Sequence, residues 1–202
     1  MDALKVLPAL RFFAIENAVS DLDPVDETDE HYFEPGITSV NNTIIREFFT
    51  YHVLLGNHST LREVRLRYIS KLKVETFETL FKIKGLKSLN FAGDEILINQ
   101  QSFGSAITGT EGSLLPIQLE NLTIEGVYGI TDYDLQFLDY PTIILARLDR
   151  LTLAGFRKMM EYAEKLKKMV VFTYNVKYGE EEAELKDIAR KNKIQLKIPS
   201  NT

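Results

Sequence analysis

The chain contains no cysteine at all among its 202 residues. Secreted repeat-rich chains of this size usually rely on disulfides, so the absence points to a reducing, intracellular compartment, cytoplasmic or nuclear. It also leaves only three histidines as soft metal ligands, His31, His52 and His58. No two of them are spaced three or four apart, so no metal site and no cofactor are expected. Long apolar runs are missing too. No stretch approaches the roughly 18 residues a membrane helix needs, so no membrane association is expected. The start, Met1 to Pro8, lacks the basic region and apolar core of a secretory signal.

An excess of positive charge is likewise absent. The formal net charge is −5, and it is unevenly spread: residues 1–60 hold ten acids, from Asp2 to Glu47, against Lys5, Arg11 and Arg46. The remainder is close to neutral. With no dominant basic face, the composition weighs against nucleic acid as the main ligand. The Asn-x-Ser/Thr sites at Asn41, Asn57 and Asn121 are read as unmodified, because Asn121 falls inside a predicted strand and such triplets are frequent by chance.

Catalytic signatures do not appear either, and the reading is that the chain is not an enzyme. No Gly-x-Ser-x-Gly elbow exists. Gly104-x-x-x-x-Gly109-Thr110 has the glycine spacing of a phosphate loop but lacks the lysine that would reach the phosphates. Asp21-x-Asp23 opens like a calcium loop, but Pro24 follows, no central glycine occurs, and Tyr32 stands where a bidentate glutamate is needed. The lysine groups Lys165/Lys167/Lys168 and Lys191/Lys193/Lys197 read as solvated faces, with a phospho-group or acidic partner as the functional alternative.

What is present is a repeat. The pattern L-x-x-L-x-L occurs as Leu7-x-x-Leu10-x-Phe12, Leu61-x-x-Val64-x-Leu66, Leu86-x-x-Leu89-x-Phe91, Leu119-x-x-Leu122-x-Ile124 and Leu166-x-x-Met169-x-Val171. Looser copies are Tyr140-x-x-Ile143-x-Leu145 and Ile194-x-Leu196, where Lys191 replaces the first apolar residue. From Leu61 the starts step by 25, 33, 21, 26 and 25 residues, mostly within the range of about 20–29 residues of leucine-rich repeats. Alternate residues of each L-x-L core point one way, as strand geometry requires. Helical segments lie between: Thr76, Phe77, Leu80 and Phe81; a capping box at Thr131-x-x-Asp134 opening a helix through Leu138; a Thr152-capped helix carrying Phe156, Met159, Met160 and Tyr162; and a helix after Gly179 that buries Leu185, Ile188 and Ala189.

The expected fold is therefore α/β: a leucine-rich-repeat-like solenoid with parallel strands on one face and helices on the other. A doubly wound α/β layer is the competing reading. It is disfavoured because Val64-Arg65-Leu66, Leu89-Asn90-Phe91 and Leu122-Thr123-Ile124 alternate, leaving one face wet. Residues 1–60 read as an acidic segment with degenerate capping repeats, and residues 61–202 as the solenoid. Within the first part, Ile37 and Val40 suggest a degenerate strand, Ile44, Ile45, Phe48, Phe49 and Val53 its helix, and 21–30 an acidic loop. A small-residue loop around 102–113 accounts for the 33-residue step.

Residues Ile130 to Leu138, Ile143 to Leu148, Leu151 to Phe156 and Met169 to Phe172 resemble the leucine-rich-repeat-like region behind the F-box in F-box proteins, the nematode FTH type in particular. The resemblance covers roughly residues 115–190. It implies substrate selection within a ubiquitin ligase and a ligase adaptor as partner. The chain departs from that pattern: Leu7-Pro8 is similar to the usual opening, but no F-box helical run follows. The asparagine that short repeats place after the strand is replaced by Ile69, Asp94 and Val127.

On the outward positions of successive strands lie Arg65, Arg67, Asn90 and Thr123, then Ile144, Val170 and Phe172. The last three form an apolar patch on a face that should be wet, the usual mark of an interaction site. All seven are the expected partner-binding residues, the partner being another protein. The expected function is a protein-protein interaction module. The alternatives are a structural homodimerising subunit, or an RNA-associated factor reading Arg65, Arg67 and Asn90.

Overall fold

A computed structural model describes residues 10–16, 42–68, 74–93, 119–127, 130–148, 150–172 and 180–198. Within them the chain alternates between short strands and helices. The order is β1 (Phe12–Glu16), α1 (Asn42–Leu55), β2 (Glu63–Arg67), α2 (Val74–Phe81), β3 (Ser88–Ala92), β4 (Asn121–Glu125), α3 (Asp132–Leu135), β5 (Thr142–Ala146), α4 (Leu153–Tyr162), β6 (Lys168–Phe172), α5 (Glu180–Lys191) and β7 (Gln195–Lys197). The strands form a single seven-stranded sheet in the order β1-β2-β3-β4-β5-β6-β7, every pair parallel. A doubly wound sheet reverses its strand order at a switch point; this one never does. The sheet is open, with β1 and β7 at its edges.

Alternation sorts the two faces. Val64 and Leu66, Leu89 and Phe91, Leu122 and Ile124, Ile143 and Leu145, Met169 and Val171 are all buried in one hydrophobic cluster. The same cluster receives Ile45, Phe48 and Phe49 from α1, Phe77, Leu80 and Phe81 from α2, Leu135 from α3, Phe156, Met159 and Met160 from α4, and Leu185 and Ala189 from α5. The inward strand face and the helix stripes are both apolar, so each leaves water by covering the other.

Strands β2 to β6 occupy the frames expected from the L-x-x-L-x-L pattern; the two ends do not. Hydrogen-bonded register sets Phe13 against Val64 and Ile15 against Leu66. The first copy is therefore Leu10-x-x-Phe13-x-Ile15, three residues later than Leu7-x-x-Leu10-x-Phe12. Both frames satisfy the pattern, because Leu7, Leu10, Phe12, Phe13 and Ile15 are all apolar. A slip by an odd number exchanges the faces, so Phe12 points outward and is 43% exposed. At the other end Met169 pairs with Leu196, which moves the last copy two residues later, to Lys193-x-x-Leu196-x-Ile198. An even slip leaves the faces as expected.

Among the described residues β1 and β2 pair directly, so no further strand stands between them in the sheet, and α1 lies between them in chain order. The candidate strand residues Ile37 and Val40, the acidic loop at 21–30 and the small-residue loop at 102–113 lie outside the described residues. Val53 packs partly buried against the core, while Ile44 is exposed. The acidic first part is thus joined to the rest through β1 and α1, which share the common sheet and core.

The expected helix starts are found where side chains satisfy free amides. Asp134 Oδ2 accepts from the Thr131 N–H at 2.8 Å and from its hydroxyl at 3.0 Å, and α3 ends at Leu135 rather than Leu138. Thr152 caps α4, accepting from Gly155 N–H at 3.4 Å. Asp132 ties the two helices together, taking the Thr152 N–H at 2.8 Å and its hydroxyl at 2.5 Å. Gly155 makes this closeness possible: a Cβ there would sit 2.1 Å from Asp132 Oδ1 and 2.9 Å from its Cβ. Gly155→Ala should therefore expel the Asp132 carboxylate from the cap. The net loss should be about 1–3 kcal/mol despite alanine's better helix propensity. Urea denaturation checks it, and adding Asp132→Ala to Gly155→Ala should cost nothing further.

Candidate functional site

The face turned away from the helices carries three in-register rows of side chains. The central row runs Ala14, Arg65, Asn90, Thr123, Ile144, Val170, Lys197. The row toward the C-terminal strand ends runs Glu16, Arg67, Ala92, Glu125, Ala146, Phe172. All seven residues singled out in the sequence lie on these two rows. Arg65, Asn90, Thr123, Ile144 and Val170 are consecutive neighbours, and Arg67 and Phe172 flank them.

Their environments differ from a uniformly wet surface. Phe172 is 45% exposed and Ile144 partly so, but Val170 is only 6% exposed. Val170 is nonetheless outside the hydrophobic core cluster; it is short, and it stands between Ile144 and Lys197 on the adjacent strands. Same-face neighbours about 5 Å away are close enough to cover a small side chain. The exposed apolar surface here is therefore Ile144 and Phe172, with Val170 buried. Ala92, also an outward position, is completely buried. Arg67 and Glu125 stand on either side of it in register and join at 2.8 Å.

Arg65 is held by Glu63 at 2.8 Å, with its guanidinium carbon 5.0 Å from the Phe12 ring centroid. Glu125 holds two guanidiniums at once: Oε2 takes Arg67, and Oε1 takes Arg147 Nη2 at 2.9 Å. Arg147 Nη2 also donates to Tyr68 Oη at 2.9 Å, and Arg67 lies 5.4 Å from the Tyr68 ring. Two polar atoms on this face are buried without a partner, Asn90 Oδ1 and Arg67 Nε.

Tyr68 and Arg147 escaped sequence reasoning, and Glu125 was legible only as an outward strand position, not as the acid that joins two arginines. Tyr68 and Arg147 each occupy the first position after a strand, where the backbone φ is positive: 53° at Tyr68, 153° at Gly93, 58° at Gly126 and 51° at Arg147. The amide of each donates to the last carbonyl of the next strand, as Gly126 N–H does to Ala146 O at 2.9 Å and Arg147 N–H to Phe172 O at 2.7 Å. The signal was available: this is the eighth position of each repeat copy, and two of the four are glycine.

Other chemistry is sparse among the described residues. No group of three His, Cys, Asp or Glu is placed to hold a metal, and no helix is long and apolar enough to cross a membrane. His52 Nδ1 lies 3.0 Å from Ser59 Oγ, but both residues are buried, and His52 Nε2 has no partner to orient the ring. A nucleophile must be reachable by substrate; this pair is part of the core, with Phe48 edge-on to the imidazole at 4.7 Å.

Burial pushes the His52 pKa below its ordinary value of 6.5. The unfolded chain therefore takes up a proton as pH falls through about 6.5, before the folded protein does, and stability is lost below that pH. Urea midpoints at pH 7 and pH 5 should differ more for wild type than for His52→Gln, by up to about 1.4 kcal/mol for each pH unit over which only the unfolded state is protonated.

Comparison with known protein families, with characterised proteins and with solved structures finds no match for this chain.

Proposed function

We propose that the protein is a protein-protein interaction module: a leucine-rich-repeat-like solenoid that receives its partner on the outward face of its strands rather than carrying out catalysis. The observation that carries this reading is an apolar pair, Ile144 and half-exposed Phe172, on a sheet face whose other described occupants are strand side chains. Apolar surface of that kind, rimmed by polar groups, costs solvation unless a partner covers it. The solenoid reading is supported by unbroken parallel strand order and by the recurring positive-φ position that closes each strand.

The F-box-type resemblance extends the proposal to an adaptor of a ubiquitin ligase as one partner and its substrate as another. Affinity capture on wild-type and Phe172→Ser protein, followed by reconstitution with the purified captured protein, tests the reading. Binding should fall about tenfold or more, as for a half-buried aromatic anchor, with the fold intact. Equal binding by both forms overturns the assignment of this face. A stable homodimer in light scattering that Phe172→Ser dissociates would replace it with a self-assembling subunit.

A further inference from the structure

His52 sits in the last turn of α1 and is completely buried. Its Nδ1 lies 3.0 Å from Ser59 Oγ, and its Nε2 has no partner. Neutral imidazole fits that arrangement: Nδ1 and the serine share one hydrogen, and Nε2 need carry only a lone pair. Charged imidazole does not fit. Both ring nitrogens then bear a hydrogen; Ser59 Oγ can accept one, and the other meets no acceptor. A buried charge without its hydrogen bonds is strongly disfavoured.

The ring also stands where the ties to the first strand converge. Phe48 meets the imidazole edge-on at 4.7 Å and stacks on Phe13 of β1 at 4.4 Å. Phe49 meets the same Phe13 ring at 5.8 Å. Next to Ser59, the Thr60 hydroxyl donates to the Leu10 carbonyl at 3.0 Å, just ahead of β1. Expelling the imidazole therefore disturbs the Phe48–Phe13 stack and the 59–60 segment together.

The charged groups of the surrounding elements do not compensate a proton on this ring. Arg46 and Glu47 of α1, His58 of the following turn, Arg11 and Glu16 at β1, and Glu75 and Lys82 at α2 are exposed, and Glu78 is partly so. Glu63, Arg65 and Arg67 of β2 lie on the outward face, opposite in alternation to buried Val64 and Leu66. Arg62 Nη1 donates to the Ser59 and Leu61 carbonyls at 2.9 and 3.0 Å, so the nearest charge along this segment is itself positive. Tyr51 offers the imidazole a ring contact at 5.7 Å. Burial holds the imidazole below its ordinary value.

We propose that His52 is an acid-sensitive latch: a proton on Nε2 drives the ring out of the core and frees α1 and β1 before the other strands open. Outside the core, water supplies the acceptor that Nε2 lacks. Release also withdraws Phe12 from Arg65, whose guanidinium carbon is 5.0 Å from its ring centroid, and so alters that end of the outer face. Histidine is the side chain whose ordinary titration lies close to neutral pH. The released ring takes a proton as pH falls through about 6.5. Each further unit of acidification multiplies the open population about tenfold, until the buried ring is protonated as well.

The test is hydrogen–deuterium exchange of the full chain at pH 7.0, 6.0 and 5.5, corrected for intrinsic exchange and read by mass spectrometry. Protection of β1 and α1 should fall about five- to tenfold across that range. At pH 5.5 it should lie at least about tenfold below that of β4, the mark of an opening smaller than global unfolding. His52→Gln and His52→Phe should both abolish the pH response, and His58→Gln should keep it. Protection of β1 and α1 that ignores pH, that equals β4 at pH 5.5, or that responds equally in a folded His52 variant overturns the latch. If both His52 variants fail to fold, proton NMR of the wild type decides, with the His52 ring signal assigned through His31→Gln and His58→Gln. Weakening of that signal in step with the β1 amide signals on acidification supports the latch; titration of the ring with the β1 amides unmoved overturns it.

Discussion

Leu122→Ala should lower the free energy of unfolding by about 2–5 kcal/mol, the range for emptying a fully packed leucine site. Leu122 is 1% exposed on the central strand β4, in register with Leu89 on one side and Ile143 on the other, inside the cluster that strands and helices share. The site is walled by regular backbone on both sides, so collapse around the missing atoms is limited and the upper half of the range is expected. Phe172→Ser should change stability by about 1 kcal/mol or less, because Phe172 is half exposed and outside the core cluster. Urea midpoints of the two variants give the comparison directly. Equal destabilisation would make Phe172 a core residue and remove the surface patch.

Phe49→Ala should be costlier still, about 3–5 kcal/mol. Phe49 is fully buried on α1, edge-on to Phe13 of β1 at 5.8 Å, while Phe48 stacks on the same Phe13 ring at 4.4 Å. These three rings pack the edge strand against helix α1. Among the described residues β1 has one strand neighbour, so removing the ring should expose β1 before the rest of the sheet. Amide exchange should report it: protection at the β1–β2 ladder should fall toward that of fraying edges, while the β4–β5 ladder keeps protection close to its reduced global limit. Uniform loss across the sheet would show instead that β1 and α1 unfold only together with the whole core.

How much could be read in advance divides along a physical line. Strands β2 to β6 were legible because alternation and the recurring L-x-x-L-x-L frame are local properties, each set within six residues. The caps at Thr131 and Thr152 were legible for the same reason. The first strand was not: Leu7, Leu10, Phe12, Phe13 and Ile15 fit two frames equally well, and only hydrogen bonding to β2 chooses between them. Asn90 and Thr123 lie on the outward rows as expected, but Val170 and Ala92 are buried there.

The arginine cluster illustrates the other side. Arg67 meets Glu125 from 58 positions away, and Tyr68 meets Arg147 from 79. No window of sequence contains either pair.

Composition and periodicity alone determined that this chain would build short parallel strands joined by helices, with one face apolar and one mixed. That is hydrophobic patterning, which acts residue by residue. Which frame the edge strand takes and which charges meet on the outer face were decided only by tertiary structure. Those outcomes depend on hydrogen-bonded register between segments far apart in the chain, and register is a property of the assembled sheet.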